Sequence, residues 1–438
     1  MNWKPLFFNP LCLGADVPTL LVDAGPMVHF ENTKTHPSTA SLEESINTKG
    51  MGILVENGVI TKIQSSQELR DEYSYHGDEP ALVDDLNIQS LGGKAIIPGL
   101  IDSHTHLVWA GDRSQEVRWR QEGKSYAEIS QMGGGIAHTT SATRTTTKED
   151  LFRLGYSRMR TALRSGTTHM EVKSGYGLDT QTELKLIEVG HELGGIKHLP
   201  TTDCTWLGAH DVPSHLSMEE YVDELLSHQL PAVIDQGLAR SADVFCEPGW
   251  FSIEHSETLL KESRAAGLSL RMHIDEFSNG GGGELAAELK VDTADHSYHT
   301  PMDTRRDMQN AGVITGFLPG TPYAMGDSWP LMESMVQQGI DFTLATDFNP
   351  NCQTLSLPFM GSLMVQRCGL NPLDALFAVT AQAARSTSHP SGNPHGRISI
   401  GSVANFNVLD SPHWESWALQ PSHTPFHSTV LEGQLHVH

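Results

Sequence analysis

From Pro98 onward, hydrophobic positions alternate between two periods. Short runs rich in apolar and β-branched residues are PGLIDSHTH (98–106), GTTHMEVKSGY (166–176), HLPTTDCTWLGAH (198–210) and ADVFCEP (242–248). They continue as GLSLRMHIDE (267–276), VDTADHS (291–297), GVITGFLPG (312–320) and IDFTLATDFNP (340–350). These runs read as buried strands. Between them lie segments with helical spacing, such as TQTELKLIEVGHEL (180–193). Another is NPLDALFAVTAQAARS (371–386), in which Asn371 caps, Pro372 suits the first turn, and Leu373, Leu376, Phe377 and Thr380 share a face. Eight strand–helix units between residues 98 and 386 predict a (β/α)8 TIM-type barrel.

The flanks carry a different pattern. MGILVENGVITKIQ alternates on both sides of Asn57-Gly58, a hairpin turn signal, and SLGGKAIIPGL follows it. The tail repeats strand–turn–strand in ISIGSVANFNVLD (398–410) and STVLEGQLHVH (428–438). Neither flank is large enough for a good core alone. The expectation is one small composite β-sandwich, residues 1–97 pairing with 387–438, around a catalytic barrel of 98–386. Residues 28–48 and 66–80 are polar and read as loops.

Within the runs, apolar residues come first and reactive ones last: His104 and His106, Lys173 and Tyr176, His210, Glu247, His273 and Glu276, His296, Asp347 and Asn349. The carboxyl ends of barrel strands form the active-site face. His104 and His106 stand two apart, so on a strand both imidazoles leave the same face. With 23 histidines in 438 residues, such a pair arises by chance, and the terminal His436 and His438 are an instance with nothing around them. Convergence of several strand ends is what singles out the first pair.

A mononuclear hydrolytic site needs neutral imidazoles, a carboxylate and a nearby base. His104, His106, His273 and Asp347 supply the ligand set, with Asp347 also counted among the catalytic groups. Glu276, three residues past His273, is placed to move protons, and His296 to hydrogen-bond the water or the carbonyl under attack. The run ADVFCEP has no lysine to bridge a second ion, so one divalent ion is expected, and this donor set suits zinc or iron alike.

Net charge of −24 argues against nucleic acid and anionic membrane surfaces, and requires local cations for any anionic substrate. Arg113, at the end of LIDSHTHLVWAGDR, is such a cation, with a structural salt bridge to Asp112 or Glu116 as the other reading. No apolar run approaches the roughly 18 residues of a membrane span. Five dispersed cysteines form no disulfide framework, and the start lacks signal-peptide features. A cytoplasmic protein is expected, with a homodimer the prior for its assembly. Cys204 and Cys246 read as core. The glycines 280–283 read as a tight loop rather than a phosphate cradle. Gly133 to Gly135 read as either a lid hinge or a plain turn, and Lys173 as a substrate contact or a buried ion pair.

The order PGLID-H-x-H, a later strand-end His, ADH and ATD resembles the amidohydrolase superfamily. Within it, GDRSQE, YAEISQMGGGI, MEVKSGYGLDTQTELK, LGAH, DVFCE, GGGGELAAEL and ATDFNPN resemble the imidazolonepropionase family, from about residue 92 to 410. The resemblance implies hydrolysis of 4-imidazolone-5-propanoate, a small anionic heterocycle, to N-formimino-L-glutamate. It places metal ligation on His104, His106, His273 and Asp347, and proton transfer on Glu276. It places substrate binding on Arg113, Tyr126, Tyr176, His210, Glu276 and Asn349. After the last-strand N-P, the family pattern has Gly followed by Ser or Thr; here Asn351 and Cys352 occupy those substrate-side positions. Another amidohydrolase, a deaminase or other cyclic-amide hydrolase acting on a heterocycle without an acidic tail, is the alternative that Arg113 and SGYG disfavour. A catalytically silent scaffold barrel should have lost ligands.

Overall fold

The computed structural model describes residues 17–31, 39–48, 50–77, 79–83, 85–124, 126–326, 329–330 and 332–438. Eight parallel strands form one sheet in sequential order. They are β1 (Leu100–Asp102), β2 (Thr167–Lys173), β3 (Thr201–Ala209) and β4 (Ser241–Cys246). Then follow β5 (Ser269–Ile274), β6 (Thr293–His296), β7 (Ile314–Phe317) and β8 (Phe342–Leu344). Seven lie inside one of the eight predicted runs, and β4 begins one residue before its run, at Ser241. The sheet closes where the chain leaves β1 and β8: Thr105 bridges Phe348 in parallel, and the His106 N–H donates to the Phe348 carbonyl at 2.8 Å. Asp102 reinforces the seam by accepting from the Thr346 N–H at 3.0 Å and its hydroxyl at 2.6 Å. Closure leaves no strand edge and puts every β-strand carboxyl end on one rim.

Helices cover the outside. Thr180–Gly194 is capped by Asp179, whose carboxylate accepts from the Thr182 N–H at 2.8 Å. The segment predicted as one helix over 371–386 is shorter. Asn371 caps it and Pro372 opens it, but it ends at Ala378 and resumes only as a single turn at Ala383–Arg385. The reason is competition for carbonyls: the Ile101 N–H of β1 takes the Val379 oxygen at 2.8 Å, and the Thr380 hydroxyl takes that of Leu376 at 2.6 Å.

Two further sheets hold the flanks. One has five strands, all from residues 19–90; the other has six and joins both ends of the chain. In the second, Ile96–Pro98 pairs antiparallel with Phe406–Leu409, which pairs with Phe426–Leu431. Leu21, Ile53 and Ile60 from the first sheet pack with Ile96, Phe406 and Val430 from the second in one apolar cluster. Asn57 (φ 51°) and Gly58 (φ 75°) make the expected tight hairpin turn. Residues 66–80 are not all loop. Ser66–Glu72 is a helix, because Ser65 and Glu68 cap each other's backbone N–H groups. Within 28–48, Thr39–Glu43 is a helix and Ile46–Asn47 a short strand.

Candidate metal-dependent active site

The rim at the carboxyl end of the barrel gathers the predicted donors. His104 and His106 lie just past β1, His273 near the end of β5, His296 at the end of β6 and Asp347 just past β8. Ring centroids are 5.5 Å apart for His104 and His106, 4.5 Å for His104 and His273, and 5.6 Å for His106 and His273. Asp347 Oδ1 is 3.5 Å from His104 Nε2 and 3.6 Å from His106 Nε2. Two sets of three, His104–His106–His273 and His104–His296–Asp347, have ligand atoms within 4.8 Å of one another. His296 (φ 66°) and Asp347 (φ 49°) sit in the left-handed backbone region, a strained state that functional sites retain.

The donor chemistry fits a metal ion. His104 Nε2 and His273 Nε2 are buried without a hydrogen-bond partner among the described residues, as is His296 Nδ1. Such atoms are costly unless something coordinates them. The opposite nitrogens are fixed: His104 Nδ1 lies 2.7 Å from Asp295 Oδ2, and His273 Nδ1 3.1 Å from Asp243 Oδ1. Carboxylates behind imidazoles set the tautomer that leaves Nε2 able to coordinate an ion. Burial, aided by neighbouring positive groups, pushes the His104, His106 and His296 pKa well down, so all three are neutral. The Thr321 hydroxyl holds Asp347 Oδ2 at 2.6 Å.

Lys173 is a buried ion pair. Its Nζ lies 2.8 Å from Glu171 Oε1 and 2.6 Å from Asp243 Oδ2, all fully buried. Burial alone would raise the Asp243 pKa, but His273 and Lys173 hold it well below the usual range. Through Asp243 the lysine thus reaches His273. Lys173→Met leaves buried carboxylates short of their cation and is expected to destabilise the fold by about 3–5 kcal/mol, read from the denaturation midpoint; an unchanged midpoint contradicts the role.

Around the cluster is a cleft whose lining includes Arg113, Tyr176, His210, Glu276, Asn349 and Cys352. Asn351 lines it too, while the Tyr126 side chain lies outside the described residues. His210 stacks on His106 at 5.1 Å and donates from Nδ1 to the Gly175 carbonyl, 2.8 Å away; burial lowers its pKa to about 3. Glu276 Oε2 is 3.7 Å from His296 Nε2. Asn349 is occupied locally: its Oδ1 accepts from the Asn351 and Cys352 N–H groups and its Nδ2 donates to the Asp347 carbonyl. Arg113 is gripped by Glu116, Nε to Oε1 at 2.7 Å and Nη2 to Oε2 at 2.9 Å, while still facing the cleft. Cys204 and Cys246 are buried in strands, with burial raising their pKa to about 12 and about 11. Of the glycines 280–283, read as a tight loop, Gly280 and Gly281 lie in the loop while Gly282 and Gly283 open the helix Gly282–Leu289, where a Cβ at Gly282 would lie 2.7 Å from the Ile274 Cβ.

Several positioning roles escaped the sequence reading, which set Glu247 on the rim without assigning it one. Asp243 and Asp295 stand in the quoted strands but were given no role. Glu247 accepts from the N–H groups of Glu276, Phe277 and Ser278 at 2.9–3.1 Å, fixing the loop that carries Glu276. Glu183 does the same for the loop of Tyr176, accepting from Gly175, Gly177 and Leu178 at 2.7–2.8 Å. The signal was a glutamate on the core face of its helix, Glu183 being 0% exposed.

A barrel rim carrying clustered buried histidines, an aspartate and a cleft defines a class of hydrolase. The amidohydrolase family model matches residues 95–434, and the chain belongs to that metal-dependent family. The imidazolonepropionase of Symbiobacterium thermophilum is 38% identical over 349 residues, 78% of this chain and 80% of that one. That of Haloarcula marismortui is 36% identical over 360 residues, covering 82% and 83%, and that of Shewanella oneidensis 39% over 361, covering 80% and 87%. Within the amidohydrolases, the chain is therefore a member of the imidazolonepropionase family. Among solved structures, 5-methylcytosine deaminase from Klebsiella pneumoniae superposes with a TM-score of 0.69 at 15% identity, covering 96% of this chain and 99% of that one. E. coli guanine deaminase gives 0.67 at 12%, covering 96% and 98%. At these identities the likeness concerns the fold. Among the described residues, no helix is long and apolar enough to cross a membrane.

Proposed function

We propose that this chain hydrolyses the cyclic amide of 4-imidazolone-5-propanoate to N-formimino-L-glutamate in histidine degradation. The reading includes one divalent ion, zinc or iron, held by His104, His106, His273 and Asp347. It also includes a reducing cytoplasm, a homodimer, and a division into a barrel of 98–386 and a composite β-unit from 1–97 and 387–438. The observation that carries it is a single cleft joining the histidine–aspartate cluster to a buried arginine.

A divalent ion there supplies Lewis-acid polarisation and acidifies water. The protein's groups do the rest. Glu276 takes the proton of the attacking water and returns it to the ring nitrogen as the carbonyl C–N bond breaks. His296, beside Glu276, hydrogen-bonds the carbonyl oxygen on which charge develops. Tyr176 and His210, 5.1 Å apart, flank the heterocycle. Arg113 meets the propanoate, with Tyr126, Asn349, Asn351 and Cys352 completing the substrate side.

The test is Arg113. Its simple removal strands Glu116 in the interior, so the shape-preserving pair Arg113→Met with Glu116→Gln is the better variant. The double variant is expected to lose about 30-fold to several thousand-fold in kcat/KM, with metal content unchanged. An analogue lacking the carboxylate should be poor for the parent and scarcely worse for the variant. Equal losses on both compounds would mean that Arg113 serves the loop's architecture.

A further inference from the structure

Arg113 is 4% exposed and Glu116 2%, so their pair is sealed in the interior beside the cleft. Both carboxylate oxygens of Glu116 are used on the Nε–Nη2 edge of the guanidinium, which fixes the plane and direction of the whole side chain. Oε1 also accepts the Gly135 N–H at 2.9 Å. That residue begins the helix Gly135–Thr145, whose next residue, Ile136, lines the same cleft. One carboxylate thereby joins the loop after β1 to the turn of Gly133–Gly135.

The contact needs a glycine. A Cβ at Gly134 would lie 2.7 Å from Glu116 Oε1 and 2.9 Å from Ile129 Cγ2. The backbone at Gly134 (φ −93°, ψ −153°) is extended and open to any residue, so the requirement is for space alone. The glycine run is thus a close packing site against the carboxylate that grips Arg113.

We infer that Glu116 is the positioning residue for recognition of the substrate's acidic tail, acting through Arg113 and seated by Gly134. This rests on the reading of Arg113 as the contact for the propanoate. With the Nε–Nη2 edge committed to Glu116, that carboxylate sets the direction from which the guanidinium meets the tail. Specificity for the acid then depends on where Glu116 holds that plane. Charge also enters, with the opposite sign: the Glu116 carboxylate repels the substrate's, so its neutralisation would mix lost aim with relieved repulsion. Variants that keep the charge and move the atoms separate the two.

Glu116→Asp draws the carboxylate back by one methylene, and Gly134→Ala pushes against it from the other side. Both are measured as full-length, metal-loaded protein, with thermal unfolding and metal content recorded alongside. For each, KM for imidazolonepropanoate is expected to rise about 10- to 100-fold, with kcat and metal content near the parent's. Turnover of the analogue lacking the carboxylate should stay at the parent level. Gly134→Ala keeps the carboxylate and presses on Oε1 and on Ile129, so with an unfolding midpoint near the parent's it decides the matter if Glu116→Asp fails to fold. Unchanged KM for the acid in folded variants, or equal losses on both compounds, would overturn the proposal. A parent protein with no preference for the acid would overturn the reading of Arg113 beneath it, a result seen before any variant is scored.

Discussion

His273→Ala is expected to purify folded, nearly devoid of metal and nearly inactive. His273 Nε2 is buried with no partner among the described residues, so the fold does not depend on a bond at that atom. Its other nitrogen leans on Asp243, which keeps Lys173 at 2.6 Å when the imidazole is gone. The cost therefore falls on the ion. Loss of a group that merely orients a ligand weakens metal binding by about 10- to 100-fold, and loss of the ligand itself should exceed that. Metal per chain after gel filtration, measured beside the unfolding midpoint, checks it. Full occupancy with ordinary turnover would remove His273 from the ligand set.

Glu276→Gln should behave in the opposite way, keeping its metal and losing its rate. The glutamine preserves shape, and the main chain at 276 is held by Glu247 through the backbone, independently of the side chain. Proton transfer by a placed acid–base group contributes about 10²–10⁴-fold, so kcat should fall by that factor. If the variant instead arrives without metal and recovers when excess ion is added, Glu276 is a ligand.

The barrel was legible because parallel strands buried on both faces leave continuous apolar runs, and eight such runs separated by helical spacing admit few architectures. The rim residues were legible for a related reason: a polar group ending an apolar run has only the strand's carboxyl end to occupy. Less visible was what holds those groups. Asp243, Asp295, Glu183 and Glu247 act through contacts with distant strands and loops, so a place in a strand run or on a helix's core face does not show which groups they hold. Arg113 shows the limit most clearly. Its sequence admits both a substrate contact and an ion pair with Glu116, and the structure places it in that ion pair and on the cleft wall together. The helix over 371–386 was overextended because periodicity does not register the Ile101 N–H that draws away the Val379 carbonyl.

The most direct test of the account is turnover of 4-imidazolone-5-propanoate by protein stripped with a chelator and then reloaded with zinc or iron, the products identified by NMR. The account predicts no reaction in the stripped protein and formation of N-formimino-L-glutamate when metal returns. Undiminished turnover without metal, or none with the site loaded, would contradict it.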